Sequence, residues 1–239
     1  MNETLELMMN RKSIRAFQEK EIPAEVKETI LSAAMRAPTA GNLMLYSILD
    51  VTEQPLKDKL ALTCDHQPFI ATAPMVLIFL ADYRRWYRKF QQAGGNPPAP
   101  RLSDFMLSMN DAMIAAHAAC MAAESLGVGS CYIGDIIEQW ETHREIFQLP
   151  EYVAPVSMLV FGYPTQQQKE RPLVSRFPKE TIVFENQYRD LSEEELNDFC
   201  KSDRAKLICE NKYTSEFALE MERSAKEILK NWTGKPKQD

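Results

Sequence analysis

The stretch from Ser103 to Leu126 constrains this chain more than any other. Met106, Met109, Met113, Ala116, Ala119 and Ala123, with further alanines between them, leave almost no polar face at helical spacing. A helix apolar nearly all round has to be covered on every side, so the remaining elements must be built around it. Ser103 or Asp104 is expected to cap it, and Gly127 to end it in the left-handed conformation. Its small residues admit close packing against another helix, in the same subunit or a second one. His117 falls within the alanine-rich face, where a packing role is expected rather than a catalytic one.

Two apolar runs supply the cover. Met75–Ala81, behind Pro74, and Pro155–Phe161 are near-continuous, the pattern of strands buried on both faces of a sheet. Tyr46–Thr52 adds a third strand, and Pro55 opens a short helix through Leu60 and Leu62. Asn2 can cap a helix carrying Leu5, Met8 and Met9. Val26, Ile30, Ala33 and Ala37 follow helical spacing between Pro23 and Pro38. Asp135 is expected to open a helix containing Ile136, Ile137, Trp140 and Phe147. Ser192 to Glu195 matches a capping box opening a helix to about Leu207. A last helix runs from Ser215 to Trp232, followed by a frayed tail at Lys235–Lys237. With 45% apolar residues in 239, one large core is affordable, and no linker or repeat divides the chain.

Charge and cysteines narrow the function classes. A net charge of -6 argues against nucleic acid or an anionic membrane surface as partner, so any basic cluster must be local and specific. Five cysteines, unpaired in spacing, fit a reducing cytoplasm, and no signal peptide or membrane span is read. The three histidines have no ligand-like spacing, so no metal site is expected. Gly127, Gly129 and Gly134 do not form a dinucleotide fingerprint, because a helix precedes them and four residues separate the last two. Phosphate gripping must therefore come from side chains.

Arg11-Lys12-Ser13-Ile14-Arg15 is the obvious source. In extended form Arg11, Ser13 and Arg15 share a face while Ile14 turns to the core. Taken alone, the stretch is better read as a solvated basic turn after a short helix, since charge runs usually face solvent. Arg84, Arg85, Arg88 and Lys89, interleaved with Tyr83, Trp86, Tyr87 and Phe90, form a second basic segment. A solvated helix with an aromatic inner face is its plain reading, and contact with a dinucleotide phosphate the sharper one.

Four further pieces stand in order with the basic stretch: Ala37-Pro38-Thr39-Ala40-Gly41-Asn42, Gln67-Pro68, Tyr132-Ile133-Gly134 and Phe161-Gly162-Tyr163-Pro164. With a later arginine, this ordered set resembles the nitroreductase family of FMN-dependent oxidoreductases over about Leu5 to Tyr188. The resemblance implies an α+β fold with a central mixed sheet flanked by helices. It implies an intertwined homodimer with FMN at the subunit interface. Residues 1–190 would form the FMN-binding domain, and residues 191–239 a helical extension packed on it.

Carried over residue by residue, Arg11, Lys12, Ser13 and Arg15 would hold the FMN phosphate and the flavin pyrimidine edge. Pro38, Thr39, Ala40 and Asn42 would reach the flavin from the other subunit. Gln67 would bond the ribityl chain or ring edge, and Tyr132, Ile133 and Gly134 would line the ring near N5. Asp135 is left as a helix cap. Arg176 is favoured to complete the phosphate site, with Lys169 and Arg171 as second choices. The implied activity takes hydride from NAD(P)H and reduces nitroaromatic, quinone or related acceptors in a ping-pong cycle. No protein nucleophile is needed, and Arg15 or Lys12 is expected to favour charge on the reduced ring. The alternatives are a non-catalytic FMN-binding protein, or a branch of the fold dedicated to dehalogenation or flavin cleavage.

Overall fold

The computed structural model describes residues 2–234, so the expected frayed tail lies outside them. Two strands form its centre. β2 (Met75–Asp82) and β4 (Val153–Gly162) are buried at every position, as their unbroken apolar runs predict. β1 (Tyr46–Asp50) pairs with β2, and β3 (Gly129–Ile133) with β4, giving the order β1-β2-β4-β3 with every pair antiparallel. The parallel component of the sheet is a single bridge, Ser13 to Ser130, where Ile14 N donates to the Ser130 carbonyl at 2.9 Å. Phe17 then bridges antiparallel to Pro164. The basic stretch thus runs as a short irregular rail beside β3.

Two glycines set the height of that rail. Gly129 and Gly162 face each other across β3 and β4. A Cβ on Gly129 would come within 2.5 Å of the Ile14 side chain, and one on Gly162 within 2.5 Å of Phe17. Neither contact is tolerable, so bare backbone is what lets residues 13–17 lie down on the sheet.

Helices flank the sheet. α1 (Glu3–Asn10) begins at Asn2, whose side-chain oxygen accepts from Leu5 N at 3.0 Å. α2 (Ala24–Met35) buries Ile30 and Ala34 against α5 (Leu102–Ser125), the long helix. α5 is capped at Arg101 rather than at Ser103 or Asp104: the Asp104 carboxylate reaches back to accept from Arg101 N at 2.7 Å, placing the cap two residues before Ser103. Gly127 ends it at φ 73° as expected. Ala112, Ala115, Ala116, Ala119 and Ala123 are buried against the sheet and α2. Burial on all sides does not follow within one chain. Met106 is 59% exposed, Met113, Ile114 and His117 are also exposed, and His117 is therefore no packing residue within the subunit.

α3 (Gln54–Thr63) and α6 (Trp140–Ile146) lie on the same side as the turn Asp135–Ile137. The expected single helix from Asp135 is broken. Asp135–Ile137 is a 3₁₀ turn, and Gln139 takes a left-handed conformation, φ 47°, before α6 starts. Gln139 is held there by its N–H to the Glu220 carboxylate at 3.1 Å and its side-chain amide to the Thr63 carbonyl at 3.3 Å. His143 is fully buried between the Thr63 hydroxyl at 2.8 Å and the Ile136 carbonyl at 2.9 Å, and burial lowers its pKa. It ties α3 to α6 as a neutral bracket.

α4 (Arg84–Gln92) follows β2, and α7 (Gln166–Glu170) follows β4. The helix expected from Ser192 to Leu207 is two: α8 (Glu193–Phe199) and α9 (Ser202–Lys212), parted by Cys200 in extended conformation. Neither buries a residue, so no packing holds them as one rod. α10 (Glu216–Thr233) does dock. It buries Ile228 and Trp232, the latter 4.8 Å from the Phe105 ring, and the Ser224 hydroxyl donates to the Ile137 carbonyl at 2.6 Å.

Candidate functional site

The basic rail, the ends of α1 and the segment after α7 enclose a cavity of about 730 Å³. Five cations line it: Arg11, Lys12, Arg15, Arg171 and Arg176, with Ser13 between them. The rail is positioned from below by Ile14, which is buried. It is tied from the side by Lys12, whose ammonium donates to the Lys169 carbonyl at 2.7 Å and the Arg171 carbonyl at 2.5 Å. Arg171 answers by donating from Nη2 to the Ser13 carbonyl. Lys12 is thus spent on fastening the two walls together. Lys169 contributes its carbonyl, and its side chain is not part of the lining.

Two buried donors in this region are left without a partner: Arg11 Nη2 and Arg171 Nε. Leaving a buried charged donor unpaired costs more than about 1 to 3 kcal/mol, so an acceptor from outside the chain would relieve that cost. Arg11 is otherwise anchored. Its Nε donates to Cys120 Sγ at 3.0 Å, its guanidinium sits 5.9 Å from the Tyr132 ring centre, and Cys120 Sγ lies 3.2 Å from the Ser130 hydroxyl. Burial pulls the Arg11 pKa down, but Cys120 and nearby Glu124 outweigh it and the group stays charged. Burial also raises the Glu124 carboxyl to about 7, against the pull of Arg11.

The loop Pro38–Asn42 is assembled differently. Asp111 on α5, only 3% exposed, accepts from the Thr39 hydroxyl, from Ala40 N at 3.0 Å and from Leu45 N at 3.0 Å. The Thr39 hydroxyl in turn accepts from Met44 N at 2.8 Å. Gly41, Asn42 and Met44 all have positive φ, so the loop needs this carboxylate to hold an otherwise costly backbone. α4 braces the far side: Trp86 Nε1 donates to the Leu43 carbonyl at 2.6 Å, and Arg85 to the Met44 and Tyr46 carbonyls at 2.8 and 2.5 Å. Sequence reasoning missed Asp111. Its signal was a lone carboxylate in the apolar run of the long helix.

Gln67 and Gly134 come together through Asp135. The Gln67 amide donates to the Asp135 carboxylate at 2.9 Å and to the Cys64 carbonyl at 2.9 Å, leaving its oxygen as the available acceptor. Asp135 is therefore the anchor of Gln67 and not the expected cap: the turn it begins has Gly134 as its N-cap and no side-chain capping bond. Ile133 is buried, so only its backbone can face a ligand, while Tyr132 is half-buried with its phenol pKa raised by burial. A Cβ on Gly134 would meet nothing within 4 Å, so open space adjoins it. The rail with Tyr132 to Gly134 lies along β3, whereas the Pro38–Asn42 loop leads into β1 at the opposite sheet edge. One chain does not bring these two sets together. Among the described residues no group of three or more His, Cys, Asp or Glu side chains is arranged to hold a metal.

An α+β sheet with a cation-lined cavity of about 730 Å³ along one edge has the charge and the room for a phosphate-bearing ligand. The comparison with known proteins is sharper: residues 8–163 match the model of the Nitroreductase family, and the chain belongs to that family. It is 32% identical over 191 residues to the FMN reductase (NADPH) of Bacillus subtilis, covering 79% of this chain and 75% of that one. The oxygen-insensitive NADPH nitroreductase of Salmonella typhimurium is 31% identical over 196 residues, 82% and 79% of the two chains. Among solved structures, B. megaterium NfrA2 superposes with a TM-score of 0.82 at 27% identity, covering 94% of this chain and 98% of that one.

Proposed function

We propose that this chain is an FMN-dependent NAD(P)H oxidoreductase whose five-cation cavity holds the FMN phosphate. The single observation carrying the assignment is the pair of orphaned buried donors, Arg11 Nη2 and Arg171 Nε, at a cavity lined by cations in an acidic protein. A phosphate monoester supplies the acceptor oxygens that both lack, and each charge-assisted bond contributes about 1.5 to 3 kcal/mol. Arg171 would be the principal late arginine, with Arg176 reaching the phosphate from the exposed rim and the Lys169 side chain outside.

When bound, FMN supplies the hydride chemistry, and the protein supplies binding, orientation and charge. Arg15 remains available to stabilise negative charge at the pyrimidine edge, whereas Lys12 is occupied by two carbonyls. The Gln67 oxygen can accept from the ring edge or ribityl hydroxyls, and Gly134, with open space where a Cβ would stand, leaves room for the ring to approach the backbone. NAD(P)H and then a planar nitroaromatic or quinone acceptor would use the same open space in turn, a ping-pong order that needs no protein nucleophile.

A homodimer completes the site. The half formed by Thr39, Ala40 and Asn42 sits at the other sheet edge, and the outward face of α5 leaves Met106, Met113 and Ile114 uncovered. No helix among the described residues is long and apolar enough to cross a membrane, and buried, unpaired Cys64, Cys120 and Cys131 fit a reducing cytoplasm.

The visible spectrum of the purified protein tests this reading. A flavin band that bleaches on NADPH addition and returns with a quinone is the expected result. Colourless protein that takes up no FMN, or FMN-loaded protein that oxidises neither NADPH nor NADH with several acceptors, overturns it.

A further inference from the structure

A second basic concavity lies away from the rail, and nothing in the flavin chemistry uses it. It measures about 640 Å³ and opens between α4, the inner ends of β1 and β2, and the loop before β4. Its floor is mostly apolar, made by Leu49, Leu80, Leu149 and Val153, with Ser47 and the Asp82 carboxylate beside them, the carboxylate held by the Ser47 hydroxyl at 2.5 Å and faced by Arg85 at 3.6 Å. Its rim carries Arg84, Arg88, Lys89 and Gln92.

The cations of α4 are not balanced from within. The helix holds four of them and no carboxylate, in a chain whose net charge is -6. Arg84 with Arg88, and Arg85 with Lys89, stand four residues apart, a like-charge spacing that opposes helix formation. Arg85 is accounted for: it donates to two carbonyls and sits 3.6 Å from the Asp82 carboxylate. The others are not. Arg84 reaches only the Glu151 carbonyl at 3.5 Å, Lys89 only the Gln92 side chain at 3.0 Å, and Arg88 has no hydrogen-bond or ion-pair partner among the described residues. Solvent screening alone would tolerate such a helix, but it would not explain an apolar-floored cleft beneath it.

We infer that this cleft binds a phosphate monoester carried on a planar apolar body, as in a nucleoside monophosphate. The phosphate would sit between Arg88, Arg84 and Lys89, where more than one negative charge is needed to balance the rim. The planar body would cover Leu49, Leu80 and Leu149, and the Gln92 amide can hydrogen-bond a base edge. Two sources offer this chemistry: a free nucleotide, and the adenylate end of the dinucleotide cosubstrate.

The test is equilibrium binding of AMP to the FMN-loaded protein, with adenosine and inorganic phosphate as partial probes. Saturable AMP binding, weakened roughly tenfold or more in Arg88→Glu and unchanged in Lys59→Glu, is the expected result. Flavin content should be equal in all three proteins. Displacement of AMP by NADPH identifies the cosubstrate as the source, and persistence of AMP under saturating NADPH identifies a free nucleotide. The inference is overturned if AMP does not bind, or if Arg88→Glu and a second variant, Lys89→Glu, both bind AMP as the parent does. It is equally overturned if inorganic phosphate binds as tightly as AMP, since the apolar floor would then contribute nothing. Because flavin occupancy is read separately, failure here leaves the flavin assignment standing.

Discussion

The basic rail and the Thr39–Leu45 loop are both parts of the proposed flavin site, yet they are held in opposite ways. The loop is complete in itself. Asp111 satisfies the Thr39 hydroxyl and the N–H groups of Ala40 and Leu45, and little is left over. The rail is unfinished: Arg11 and Arg171 each keep a buried donor without an acceptor. A region that satisfies its own polar groups contributes shape and stability. A region that does not would gain stability from a ligand that supplies the missing acceptors.

The comparison breaks most easily at Asp111. Asp111→Ala should cost about 3 to 4 kcal/mol in urea unfolding of the apo-protein, because three donors lose a charged acceptor. A loss below about 1 kcal/mol would show that the loop is held by something else. Arg171→Ala should do the reverse. It should weaken FMN binding roughly thirtyfold, about 2 kcal/mol, in a flavin fluorescence titration, while leaving apo-protein stability within about 1 kcal/mol.

Next comes Glu124, which sits near Arg11 and has no counterpart at the loop. Its folded pKa, about 7, is above the ordinary 4.5, so the folded state holds the proton more tightly than the unfolded chain. Stability should therefore fall as pH rises between those values, by about 1 kcal/mol after discounting for partial exposure. Glu124→Gln should remove that slope in apo-protein melts taken across the same range, and an unchanged slope would assign it to another group. The smallest effect is expected at Arg176, which is exposed on the cavity rim. Arg176→Ala should change flavin affinity by no more than about threefold. A larger loss than for Arg171→Ala would exchange their roles.

Much of this architecture was legible from pattern. Buried strands announce themselves by unbroken apolar runs, and both β2 and β4 appear where Met75–Ala81 and Pro155–Phe161 placed them. The cations at Arg11 to Arg15 and the ordered pieces around them were equally visible, because charge and small residues are local properties. What escaped was the contact made at long range. Asp111 lies 72 residues from Thr39, and no periodicity reveals that its carboxylate folds a distant loop. The choice among Lys169, Arg171 and Arg176 was also unreadable, since it depends on Lys12 gripping two carbonyls and orienting that segment. The break at Gln139 has the same origin, in a carboxylate contributed by α10.

Gly129 and Gly162 carry a consequence beyond packing. They act as a spacer of zero thickness under the rail, so the altitude of the cations above the sheet is fixed by two residues that have no chemistry of their own. An alanine at either position would leave every arginine in place in the sequence and lift the whole row out of alignment with Tyr132 and Gly134. A protein so altered would keep its charge pattern and lose its aim, and a search for missing cationic residues would find nothing wrong.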